Sequence, residues 1–162
     1  MHRSVALLAV VLAGCASFID RNRVPGVSNQ TDAGIRLGPP TDRLARPDGG
    51  STWYYSRQPL GRQTWALEFD AGGTLRSIEP ILDSTRLAKV VVGKTTGPQL
   101  RELLGPPNRI ERMPRQRWSS WEYWMVVDAV PAHVWIQLSD DGIVREVVKS
   151  EDLSRDPGRW RD

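Results

Sequence analysis

The sequence predicts an α+β fold made of two tandem repeats, each a short helix followed by three or four antiparallel strands, with the helices packed on one sheet face. Three observations predict it. The run Leu37-Gly38-Pro39-Pro40 returns as Leu104-Gly105-Pro106-Pro107. An aromatic triplet follows each, Trp53-Tyr54-Tyr55 and then Trp121-Glu122-Tyr123. Each copy closes on an apolar strand, a glycine turn and a second strand. Order and spacing agree within a few residues, the mark of an internal repeat.

The first helix precedes Gly38. Ser28 is a candidate N-cap, and Gly34 inside it costs about 1 kcal/mol relative to alanine. After the proline pair the apolar period becomes two. Trp53 and Tyr55 fall on one face with Tyr54 on the other, and Trp65, Leu67 and Phe69 alternate with Ala66, Glu68 and Asp70. Ala71-Gly72-Gly73 predicts a hairpin turn into a closing strand through Leu75 and Ile78. Residues 81–92 predict a short linking helix that starts near Ser84. The second repeat helix has Thr96 as N-cap and Gln99 placed for a capping box. Leu100, Leu103 and Leu104 form its apolar stripe. Gly105 is expected in the left-handed position past its end, and Pro106-Pro107 forbids continuation. In the strands that follow, Trp121, Tyr123, Met125 and Val127 share one face, opposite Trp118, Glu122 and Trp124. Val134, Ile136 and Leu138 alternate with Trp135 and Gln137, and Asp140-Asp141-Gly142 makes the last turn.

The amino-terminal end carries a different signal. Met1-His2-Arg3 is short and basic, an apolar run spans residues 5–12, and small residues follow. This is the pattern of a secretory signal, with far fewer than the ~20 apolar residues that a membrane span needs. It ends in Leu12-Ala13-Gly14-Cys15, and Cys15 is the sole cysteine. That ending resembles the lipobox of bacterial lipoproteins. The resemblance implies cleavage before Cys15, thioether lipidation of its sulfur and acylation of the new terminus. Several acyl chains hold a domain on a bilayer far more firmly than one. Ala16, where aspartate would resemble an inner-membrane retention signal, implies the outer membrane.

The expected organisation is a signal peptide at 1–14, a tether at 15–24, one repeat at 25–82, a second at 83–149 and a polar tail at 150–162 that contains Trp160. The formal charge of +3 becomes +2 when Arg3 leaves. That balance is too weak to point to nucleic acid. Hydrophobic residues at 40% and charged residues at 25% are globular values.

With the lipobox, the helices ending in Leu-Gly-x-Pro, the Trp-x-Tyr strand and the closing hairpin, the chain resembles the BamE-type (SmpA/OmlA) outer-membrane lipoproteins over roughly residues 24–149. Two such units in tandem also resemble the β-lactamase inhibitor protein fold. The first resemblance implies a non-catalytic accessory protein that binds partner proteins and lipid. The tandem copy departs from the single unit of the barrel-assembly subunit.

No catalytic constellation is visible. Of the two histidines, His2 leaves with the signal and His133 stands alone on a strand, read as a hairpin-edge or partly packed residue. Gly72-Gly73 joins strand to strand, so it is no phosphate loop. No metal-ligand spacing occurs, and no cofactor is expected. Two features point to binding. Trp118, Trp124 and Trp135 lie opposite the expected core and would form an aromatic platform if exposed. Arg109, Arg112, Arg115 and Arg117, opposed only by Glu111, would suit anionic headgroups or an acidic partner. The expected function is a lipid-anchored outer-membrane interaction module. It would face the periplasm and support envelope or outer-membrane protein assembly by binding a periplasmic or outer-membrane protein. The alternatives are an enzyme-inhibitor-type binding protein and a peptidoglycan- or glycan-binding lipoprotein.

Overall fold

The computed structural model describes residues 29–152. The expectations for the signal at 1–14, Cys15, the tether at 15–24, Ser28 and Trp160 lie outside the described residues. The first repeat comprises α1 (Gln30–Leu37), β1 (Asp42–Ala45), β2 (Ser51–Ser56), β3 (Thr64–Phe69) and β4 (Leu75–Pro80). The linking helix α2 (Ser84–Leu87) follows. The second repeat comprises α3 (Gly97–Leu104), β5 (Arg109–Met113), β6 (Trp118–Val127), β7 (Val130–Ser139) and β8 (Val144–Glu151). Each repeat folds its strands into a separate four-stranded antiparallel meander in sequence order.

The two copies agree in detail. The Tyr55 hydroxyl donates to the Gly38 carbonyl at 3.1 Å, and the Tyr123 hydroxyl donates to the Gly105 carbonyl at 3.2 Å. This bond ties each helix end to the central strand below it. The residue before each helix bridges the closing hairpin, Asn29 to Thr74 and Thr96 to Ile143. The register also slips at matching places, between Glu68 and Phe69 and between Gln137 and Leu138. A bulge at that point adds twist and bends the strand over its helix.

Each helix buries its stripe on one face of its own sheet. Ala33 and Leu37 pack with Trp53, Tyr55, Leu67 and Phe69. Leu100 and Leu104 pack with Tyr123, Met125, Val134 and Ile136. Thr96 and Gln99 close the expected capping box on α3. Two local expectations are corrected. The N-cap of α1 is Asn29, whose side chain accepts from the Asp32 amide at 2.9 Å, because the helix starts one residue later than a Ser28 cap would allow. Gly105 has φ of 74° as expected, but its ψ of −166° puts it in the extended mirror region. Gly38 does the same, with φ 78° and ψ −167°. The chain must turn at once into the proline pair, and a left-handed helical residue would aim it elsewhere.

The repeats are joined where the outer face of the first sheet meets the helix side of the second repeat. Ile81 packs on the far face of the first sheet with Tyr54 and Ala66, while the next residue, Leu82, enters the core of the second repeat. Leu87 of α2 joins that core too. The α3 terminus rests on the first sheet, so that a Cβ on Gly105 would come within 3.1 Å of Ile81 Cδ1 and Thr64 Cγ2. Arg101 Nε reaches Asp42 Oδ2 of β1 at 2.9 Å. No helix among the described residues is long and apolar enough to cross a membrane.

Candidate functional site

The helix-free face of each sheet is where the copies part ways. Register aligns Tyr54–Ala66 of the first sheet with Glu122–Trp135 of the second. It likewise aligns Ser56–Thr64 with Trp124–His133, and Thr52–Glu68 with Ser120–Gln137. The core-facing positions stay apolar in both copies, while these outer positions differ in size, charge and aromaticity. In the first sheet Tyr54 and Ala66 are buried. In the second the outer face is half-open, with Trp118, Ser120, Glu122, Trp135 and Gln137 all of intermediate exposure.

The three outer tryptophans do not form one platform. Trp124, His133 and Trp135 make a tilted ladder, with ring centroids 4.5 Å apart between Trp124 and His133 and 5.6 Å apart between His133 and Trp135. Trp118 sits four residues along β6 from Glu122, the cross-strand partner of Trp135. At about 3.3 Å per residue that is roughly 13 Å away. The β2–β3 loop, residues 57–63, closes over the Trp124 end. Strand β5 stops opposite Glu122, which leaves the Trp124 amide without a strand partner on that edge. Gln58 Oε1 accepts from it at 2.6 Å.

The same end holds a charge cluster that the strand pattern alone did not reveal. His133 Nδ1 lies 3.4 Å from Glu122 Oε1, and its Nε2 lies 3.6 Å from Asp152 Oδ2. Arg62, from the loop over this end, pairs with Asp152, and both side chains are largely buried. Asn108 Nδ2 donates to Glu122 Oε2 at 3.0 Å. The Trp124 indole N–H is buried and faces Glu122 outside ordinary hydrogen-bond geometry. Burial pushes the Glu122 carboxyl up, but Trp124, Asn108 and His133 outweigh it and hold the group below the usual carboxylate range. His133 is therefore not alone, as read from its strand. Glu122 is its diagonal neighbour one strand over, Asp152 follows the end of the strand on its other side, and Arg62 arrives from the first repeat. Both imidazole nitrogens face carboxylates, and neither is hydrogen-bonded to a hydroxyl among the described residues. The arrangement orients and pairs an imidazole; general-base attack through serine needs a nitrogen turned to the nucleophile.

The arginines are distributed. Register puts Arg109 on the outer face opposite Glu122, and Arg112 on the helix side opposite Ser119. Arg109 pairs with Glu111 at 3.0 Å, and Arg117 with Asp140 at 2.7 Å, both fully in solvent reach. Arg112 and Arg115 are exposed, Arg115 in the β5–β6 turn. No group of three or more His, Cys, Asp or Glu among the described residues is arranged to hold a metal ion.

No protein-family model matches this chain, and no curated protein matches it either. Two solved structures are similar in outline. One is a DUF4309 family protein, YjgB, from Bacillus subtilis, at 16% identity and TM-score 0.33, covering 79% of this chain and 81% of that one. The other is a candidate beta-lactamase inhibitor protein from Streptococcus mutans, at 12% identity and TM-score 0.35, covering 82% and 88%. Likenesses this distant say nothing about what the chain binds.

Proposed function

We propose that the protein is a non-catalytic binding module, held by acyl chains on Cys15 at the periplasmic face of the outer membrane. It supports envelope or outer-membrane protein assembly by gripping a protein partner with the outer face of its second sheet. One observation carries the binding half of this reading. The framework is built twice to the same plan, yet the outer positions diverge, and those of the second copy leave Trp118 and Trp135 half-open. A face that served packing alone would be expected to close over large aromatics, as the first copy closes over Tyr54. The lipobox-like run at residues 12–15 supports the anchoring half, and the BamE-type resemblance supports the assembly role.

Two measurements test it. Mass spectrometry of the mature amino terminus is expected to find an acylated Cys15, and a Cys15→Ala variant is expected to leave the membrane fraction. A photo-crosslinker at Trp118 or Trp135 is expected to trap a discrete protein adduct that the same group at exposed Ile35 of α1 does not. Identical adduct patterns at all three positions would remove the outer face as the binding surface.

A further inference from the structure

A cleft of about 350 Å³ lies on the outer face of the first sheet, under α3 of the second repeat. Leu44, Ala66 and Ile81 are among the apolar residues of its lining. Its polar wall is built of ion pairs. Arg46 meets Glu68 at 2.8 Å and Asp48 at 3.2 Å, and Arg86 meets Glu79 at 2.5 Å. Each guanidinium is thus taken by a wall carboxylate. Glu102, projecting from α3, joins no ion pair among the described residues. The cleft therefore carries more carboxylate than guanidinium.

Two lining groups respond to these surroundings. The Tyr54 hydroxyl is pushed up to about 12 by burial, then by Glu102 and Asp42, with Arg101 opposing. The Arg46 guanidinium is held above its ordinary value by its hydrogen bond and charge contact with Glu68, and further by Asp48. Burial is the larger cause at Tyr54 and the paired carboxylates are the cause at Arg46; the Glu102 contribution at Tyr54 places that unpaired charge beside the cleft.

We propose that this cleft receives a lysine or arginine side chain from a protein partner, with the alkyl stem on Leu44, Ala66 and Ile81 and the cationic head at Glu102. A long basic side chain has that division, an apolar stem and a charged tip. The cavity is at the lower end of ordinary ligand-pocket volumes, so it suits a side chain more than a whole folded element. One wall comes from each repeat, so the site exists only in the tandem arrangement. The assignment rests on the protein-binding reading above and adds a second contact chemistry to it.

The probe is agmatine, a four-carbon stem with a guanidinium at one end and, where an arginine side chain joins its backbone, an ammonium at the other, titrated into the isotope-labelled full chain and followed by amide chemical shifts. A ligand of about nine heavy atoms is expected to bind at about 10 mM or tighter. Saturable shifts are expected at Ala66 and Ile81, with affinity reduced about fivefold or more in Glu102→Gln. Glu102 is exposed, so that variant is expected to melt with the wild type. Pentanoate, a four-carbon stem ending in a carboxylate, is expected to give no saturable shift. The proposal is overturned if agmatine leaves both amides unmoved, if Glu102→Gln binds it equally well, or if pentanoate matches it. The two proposals fail separately: the titration reports on the cleft alone, and the cross-links at Trp118 and Trp135 report on the outer face alone.

Discussion

Glu122 shows how one side chain acquires its properties from three others. Its carboxylate is shielded from water, which raises its pKa, yet Trp124, Asn108 and His133 bring the value below that of a free glutamate. A carboxyl whose folded pKa is depressed stabilises the fold above its unfolded pKa. That contribution is lost as pH falls through the folded value. Wild type is therefore expected to lose melting temperature more steeply than Glu122→Gln between pH 5 and pH 3. At pH 7 the variant is expected to be less stable by about 1–2 kcal/mol, the scale of a hydrogen bond to a charged group. Parallel melting curves over that range would show that the cluster does not stabilise the charged form. The alternation of β6 put Glu122 on the outer face from the sequence. Asn108 and His133 were not legible as its partners, because they meet it only through strand register, whereas Trp124 is its neighbour two residues along the same face of β6.

At the scale of the element, the helix ends carry the clearest message. The Leu-Gly-Pro-Pro runs predicted two helix stops, and both glycines sit at positive φ in a region that side chains resist. Their surroundings differ. Nothing lies within 4 Å of a Cβ placed on Gly38, whereas one on Gly105 would press on Ile81, Thr64 and Tyr54 at 3.1–3.3 Å. Gly38→Ala is expected to cost about 1–2 kcal/mol from backbone strain alone. Gly105→Ala is expected to cost at least about 1 kcal/mol more, since crowding a packed interface adds to the strain. Equal losses in urea unfolding would mean that the α3 terminus gives way freely against the first sheet. The helices, strands and turns were legible because caps, prolines and apolar periods act within a few residues. The α1 cap slipped from Ser28 to Asn29 because two adjacent polar residues both suit an N-cap, and the bridge from Asn29 to Thr74 selects one of them.

For the whole molecule, the question is what locks two independent sheets together. The apolar part is the step from Ile81 to Leu82, which places neighbouring residues in different clusters. Among the described residues two ion pairs, Arg62–Asp152 and Arg101–Asp42, cross the junction, and burial ranks them. Arg62–Asp152 is largely buried, with side chains 14% and 6% exposed, while Arg101 of the pair with Asp42 is 44% exposed. Arg62→Ala is expected to destabilise by about 2 kcal/mol, because it takes a charged donor from a shielded carboxylate. Arg101→Ala is expected to cost under about 1 kcal/mol, as exposed pairs do. Denaturant unfolding of the two variants decides it, and a reversed order would mean that the loop of residues 57–63 is not fastened through Arg62. That loop decides how much of the aromatic face a partner can reach.

The sequence by itself determined the α+β class, the duplication, the helices, three strands of each repeat and the side of those strands that meets the helix. Those follow from local periodicity, capping and turn chemistry, all short-range. The short edge strands β1 and β5, which have no apolar alternation of their own, were not placed. Tertiary structure alone decided that Trp118, Trp124 and Trp135 all stay half-open, with the Trp124 indole N–H buried, that His133 sits between two carboxylates, and that a cleft forms between the first sheet and α3. The cleft depends on how one repeat rests on the other and the His133 cluster on which strands lie side by side, and neither kind of contact leaves a periodic trace along the chain.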